Sequence, residues 1–94
     1  MITAIVMVHA EVDQIPEVAQ RLADLDGVTE VYSVAGDVDL VAMVRVRRHD
    51  ELHDVIAGRI NKVEGVRATQ THIAFQAYSR HDLESTFSLG LESS

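Results

Sequence analysis

The pattern acid–Gly–Val occurs twice in this chain, as Asp26-Gly27-Val28 and as Glu64-Gly65-Val66. In "LADLDGVTEVYSVAG" and "INKVEGVRATQTHIAF" each copy follows a helical tail and opens an alternating strand. Upstream of each helical stretch lies an apolar, strand-like run. The chain therefore reads as two tandem β-α-β units, each of which must bury its helix against a shared sheet. Two copies are too few for a solenoid, which wants at least three to close its core. Ninety-four residues leave room for one hydrophobic core and little more.

The element boundaries follow from periodicity. Residues 2–10 form the first strand. Pro16 suits the first turn of a helix, where its missing N–H is not needed, and Ile15, Val18, Ala19, Leu22 and Leu25 then fall at helical spacing. Gly27 supplies a left-handed cap to that helix, and Gly65 closes the second in the same way. The second strand is expected over 28–35, the third over 39–47 and the last over 66–78. The second helix is expected over 50–63, with Leu52, Val55, Ile56, Ile60 and Val63 inward. Strands one and three are apolar on both faces, as central strands are. Strands two and four mix in Thr29, Glu30, Arg67, Thr69, Gln70 and Thr71, which suits edges. The fold class is α+β: a ferredoxin-like βαββαβ sandwich, sheet order 4-1-3-2, with both helices on one face.

That topology creates a problem for the other face. Ile5, Met7, Val41 and Met43 point away from the helices, and a contiguous uncovered apolar patch marks an interface. At least a dimer, packed through its sheet faces, is expected.

Composition narrows the function classes. A net charge of −7 disfavours nucleic acid as a direct partner, since such binding rests on basic groups that neutralise phosphates. It equally disfavours an anionic membrane surface. Without cysteine there is no disulfide, thiolate nucleophile or sulfur-held metal. The first residues lack the basic start and cleavage site of a signal peptide, and no apolar run approaches the roughly 20 residues a membrane span needs. A cytoplasmic domain is the default expectation.

With these elements in place the chain resembles the effector-binding (RAM) domain of the Lrp/AsnC family, the leucine-responsive and asparagine regulators. The resemblance rests on Gly-Val and a strand, then Gly36-Asp37-Val38-Asp39-Leu40, a strand, a helix, and Gly65-Val66 before the Thr69-Gln70-Thr71 strand. It covers the chain from Ile2 to about Phe75. It implies a ferredoxin-like dimer, often a tetramer of dimers, that binds amino acids or related metabolites at contacts between dimers. Family members usually carry an N-terminal helix-turn-helix domain. Here residue 1 already belongs to the first strand, so a stand-alone effector domain is expected, without direct DNA binding.

The Gly36–Asp39 stretch has two readings from its residues. Glycine reaches positive φ and aspartate bonds its own backbone, so a hairpin turn explains both. Turn amides and carboxylates also present donors to an α-carboxylate and acceptors to an α-ammonium. The resemblance favours the second reading and implicates Gly36, Asp37 and Asp39, together with Thr69 and Thr71. Tyr32 and Ser33 complete the candidate ligand set.

"HDELH" puts His49 and His53 at i and i+4, a zinc-compatible spacing. The metalloprotease pattern needs glutamate directly after the first histidine, where Asp50 stands instead. An acidic first helical turn, favoured by the helix dipole, explains the stretch. No metal, cofactor or catalytic residue is expected, and His9, His72 and His81 are read as structural. Residues 79–94 form an extension in which Leu83, Phe87 and Leu91 recur every four residues, as in a short amphipathic helix.

The expectation is thus a non-enzymatic, oligomeric sensor of an amino acid or similar metabolite, with a full-length regulator of the same family as a further partner. The alternative is a small dimeric α+β barrel enzyme of monooxygenase or isomerase type, since fold alone cannot separate the two. A plain assembly module is the third reading.

Overall fold

The computed structural model describes residues 1–78 and Arg80. In chain order the elements are β1 (Ile2–Ala10), α1 (Ile15–Ala23), β2 (Val28–Ser33), β3 (Leu40–Val46), α2 (His49–Gly58) and β4 (Val66–Ala74). Single 3-10 turns, Val12–Gln14 and Ile60–Lys62, precede α1 and follow α2. The four strands form one antiparallel sheet in the order β2-β3-β1-β4, the expected ferredoxin-like arrangement.

Alternation along the central strands decides the core. Ala4, Val6, Val8 and Ala10 of β1, with Leu40, Ala42, Val44 and Val46 of β3, are buried on one face. Val18 and Leu22 of α1, Leu52 and Val55 of α2, and Ile60 close over them. No polar or charged residue among those described is buried. Cross-strand register leaves Ile5 opposite Met43 and Met7 opposite Val41 on the other face, where all four are half-buried.

The elements are shorter than the periodicity suggests. β2 stops at Ser33, β3 starts at Leu40 and β4 stops at Ala74. The second helical pattern breaks at Gly58 into the 3-10 turn at Ile60–Lys62, which still buries Ile60. Of the extension 79–94, residue 79 and residues 81–94, and with them the expected amphipathic helix, lie outside the described residues.

The two repeated glycines have positive φ, +94° at Gly27 and +97° at Gly65, but they do not cap the helices directly. α1 ends with Asp24 still in a right-handed conformation, so Gly27 turns the chain into β2 instead. Each glycine also sits under the opposite helix. A Cβ on Gly27 would lie 2.7 Å from Val55 Cγ2, and one on Gly65 would lie 2.5 Å from Val18 Cγ2. Arginines tie the same junctions crosswise. Arg59 Nη1 donates to the Asp26 carbonyl at 2.8 Å, and Arg21 Nη1 donates to the Glu64 carbonyl at 2.9 Å.

Candidate functional site

The loop between β2 and β3 is held at both ends. Val34 N–H donates to the Asp39 carbonyl at 3.1 Å, closing the loop, while Asp39 N–H donates to the Val8 carbonyl at 3.0 Å. The Asp39 carboxylate then accepts the Ala10 N–H at 2.9 Å. Asp39 is half-buried and is committed to fastening the loop to the end of β1. A buried or half-buried amide needs such a partner, which makes this part of the turn structural.

Gly36 and Asp37 differ from it. Both are exposed; Gly36 has φ +141°, and a Cβ there would meet nothing within 4 Å. Glycine is required at this position by backbone conformation alone. Beside it, the loop presents the Asp37 carboxylate to solvent.

The other candidates divide between the two faces of the sheet. Ser33 pairs with Leu40, Leu40 with Val8, and Val8 with Thr69, giving one cross-sheet row on the helix side. Thr71 lies in the next row with Val6 and Ala42 on that same side. Thr69 Oγ1 donates to Asn61 Oδ1 at 2.7 Å. Asn61, in the turn after α2, has no signal in the sequence that would have singled it out. Tyr32 falls on the open face, opposite Val41. Its hydroxyl bonds the Glu30 carboxylate, and this contact pushes the phenol above the ordinary tyrosine value of 10.0, with the Glu30 charge adding to the effect. A phenolate beside a carboxylate is disfavoured, so the proton is held more tightly.

Clefts among the described residues lie beside these candidates and at other places. A groove of about 340 Å³ runs between α2 and β4, lined by Leu52, Ile56, Ala57, Thr71 and Ile73, with His49 and His53 at its rim. A charged cleft of about 370 Å³ holds Asp26, Arg45, Arg47, Glu51, Asp54 and Arg59. Another, about 450 Å³, opens on the uncovered face at Thr3, Ile5, Met43 and residues 75–77. The two α2 histidines therefore border an apolar groove. Asp50 and Glu51 beside them are paired with Arg48 at 3.2 and 3.4 Å.

A four-stranded antiparallel sheet with two helices on one face and the other face uncovered defines a class: small α+β domains of ferredoxin-like topology. The family follows from comparison with known proteins. The model of the Lrp/AsnC ligand binding domain matches residues 3–83, and the chain belongs to that family. A similar relative is an uncharacterized HTH-type transcriptional regulator, PF1231, of Pyrococcus furiosus. It is 32% identical over 72 residues, which are 77% of this chain and 49% of the relative. The HTH-type transcriptional regulator FL11 of the same organism is 29% identical over 77 residues, 82% of this chain and 50% of its own. The chain thus spans about half the length of these curated relatives. Among solved structures, TTHA0845 from Thermus thermophilus is 44% identical with a TM-score of 0.79. The alignment covers 85% of this chain and all of that one.

Proposed function

We infer that this chain is a regulatory sensor domain that binds an amino acid or a related small metabolite at contacts between dimers, and that it performs no catalysis itself. The family match over residues 3–83 carries this reading, because the relatives are named as transcriptional regulators. The ligand-binding set is Gly36, Asp37 and Asp39 of the loop, with Ser33, Thr69 and Thr71 on the helix side of the sheet, the two threonines at its far edge on β4, and Tyr32 on the open face. Asp39 fixes the loop, and Asp37 supplies the exposed acceptor for an ammonium group. Sheet-face pairing of two copies covers Ile5, Met7, Val41 and Met43. Binding changes assembly because a ligand shifts only those states it contacts differently. A full-length regulator of the same family, sharing the same sheet face, is a second partner.

The barrel-enzyme alternative would need polar groups between helices and sheet. That space holds Leu22, Leu40, Ile60 and valines, with no buried polar residue among those described, and this favours the binding reading. No helix among the described residues is long and apolar enough to cross a membrane.

Thermal unfolding and sizing chromatography across the twenty amino acids test the proposal. A binder at one hundred times its dissociation constant stabilises the native state by about 2.7 kcal/mol. One or a few amino acids should raise the midpoint or shift the assembly size. No response from any of them refutes the amino-acid reading.

A further inference from the structure

The two repeated junctions differ in charge at equivalent places. Gly65 accepts the Glu11 N–H at 2.8 Å, and Gly27 accepts the Arg45 N–H at 3.0 Å. An acid stands at one position and an arginine at the other, so the packing of the junction dictates neither charge. Around the Gly27 junction lies the cleft of about 370 Å³, between the end of β3, α2 and the turn into β2. Three of the chain's eight basic residues, Arg45, Arg47 and Arg59, line it, although the chain as a whole carries −7.

These arginines are largely uncommitted. Among the described residues the ion pairs join Arg48 to Asp50 and Glu51, and Arg67 to Glu11. Arg45 and Arg47 take part in none of them. An arginine has five N–H groups, and on Arg59 the bond to the Asp26 carbonyl engages Nη1 alone. Asp26 and Asp54 line the same cleft, and among the described residues their carboxylates are in no ion pair either. Acids and bases thus share one cavity without pairing with each other. The floor is apolar, since Val46 and Val55 also line the cleft and are 6% and 3% exposed. Its walls are held by the ties from Arg59 to Asp26 and from the Arg45 N–H to Gly27.

The volume falls within the roughly 300–1,000 Å³ of small-molecule sites. Guanidinium groups match a carboxylate bidentately, and carboxylates accept from an ammonium. Unpaired charges of both signs over an apolar floor suit a ligand with oppositely charged ends and an apolar body between them. We propose that this cleft is a second ligand site, complete within one copy of the chain, for a dipeptide with free termini. The terminal carboxylate sits on Arg45 and Arg47, the ammonium on Asp26 and Asp54, and the side chains lie over Val46 and Val55. The site is independent of the β2–β3 loop, which lies at the other end of β3. Its charged groups are exposed, so binding is weak and salt weakens it further.

The test titrates L-alanyl-L-alanine into the isotope-labelled full chain at low salt and follows backbone amide shifts by NMR. Saturable shifts are expected at Gly27, Val46, Asp54 and Val55, with weaker binding in about 0.5 M sodium chloride. The N-acetylated dipeptide lacks the ammonium and the dipeptide amide lacks the carboxylate. Each should bind at least about fivefold more weakly, and so should the dipeptide to Arg45→Gln/Arg47→Gln, where two exposed charge pairs are lost. That variant alters side chains only, so the Arg45 N–H bond to Gly27 remains and the fold is kept. Equal binding of the acetylated peptide overturns the zwitterion in favour of a plain anion. Equal binding of L-alanine overturns the separation of the two charges. Shifts confined to residues 34–39, or a full response in the arginine variant, overturn the cleft as the site. The absence of any saturable shift overturns the proposal outright.

Discussion

Gly65→Ala is the most informative single substitution for the fold. Its φ of +97° is a region that an L-residue with a Cβ enters at a cost of about 1–2 kcal/mol. The added Cβ also meets Val18 Cγ2 at 2.5 Å and Gln14 Oε1 at 3.0 Å. Val18 is fully buried and β-branched on a helix, so its methyl cannot rotate clear. Overpacking of this kind costs about 1–3 kcal/mol. Against this, alanine restricts the unfolded chain and returns about 0.4–1 kcal/mol. The net loss is roughly 2–4 kcal/mol, and at about 4–8 °C per kcal/mol for a domain of this size the midpoint falls by roughly 10–25 °C. Gly36→Ala is the internal control: its φ is also positive, but its Cβ would touch nothing, so only a backbone cost of about 1–3 kcal/mol remains, less the same return from the unfolded chain. Urea unfolding of both variants, at one fixed protein concentration, measures the difference. A third variant, Gly65→Ala with Val18→Ala, should lose at least about 1 kcal/mol less than the sum of its parts, because removing the Val18 methyls relieves the clash. If Gly65→Ala is no worse than Gly36→Ala, or if the two changes simply add, the account of cross-packed glycines is wrong.

Other expectations concern the loop and the open face. Asp39→Ala strips the acceptor from the Ala10 N–H and should cost about 1–3 kcal/mol in urea unfolding, whereas Asp39→Asn keeps an oxygen there and costs less. Asp37→Asn should change stability by less than about 0.5 kcal/mol, as exposed sites do, so an accompanying loss of amino-acid response assigns Asp37 to binding; a full response assigns it to the turn alone. Met43→Glu places like charges together when two sheet faces meet, and sizing chromatography should show a smaller species at micromolar concentration; unchanged size refutes sheet-face pairing. The Tyr32 phenol should titrate above its ordinary value in ultraviolet absorbance. Its contact with Glu30 is fully present below the ordinary tyrosine value and is lost as the pH rises through the folded one. Glu30→Gln should bring the titration back towards 10.0, and an unmoved titration would remove Glu30 as the cause.

The sheet order was legible because β1 and β3 are apolar on both faces while β2 and β4 are not, and that contrast survives in the packing. Element ends were less legible. Alternation continues past Ser33 into Val34 and Ala35, yet there the Val34–Asp39 bond already closes the loop. The helical stripe through Ile60 and Val63 marks the inward side but does not reveal that the helix ends at Gly58, with Arg59 out of helical conformation. For the site, sequence places Gly36, Asp37 and Asp39 together, since they are neighbours in the chain. It cannot show that the Asp39 carboxylate reaches Ala10, a contact twenty-nine residues away. That Tyr32 and Ser33 end on opposite faces was legible, since both fall in the expected second strand and neighbours in a strand alternate.

The repeat itself is sharpened by what surrounds it. The acids that made it visible, Asp26 and Glu64, contribute backbone carbonyls, not carboxylates, to the hydrogen bonds from Arg59 and Arg21. The glycine carbonyls repeat the pattern, since Gly27 accepts from the Arg45 N–H at 3.0 Å and Gly65 from the Glu11 N–H at 2.8 Å. Each half of the chain therefore locks the turn of the other, and both junctions are tight. The β2–β3 loop is the link between the halves and has no counterpart in the repeat. It is fastened at Asp39 and open at Gly36 and Asp37. Binding demands rigid support with exposed polar groups, and this loop, built on a scaffold clamped at both repeated turns, combines the two. That asymmetry, more than the count of carboxylates, is what favours the loop as the place where a small ligand is read.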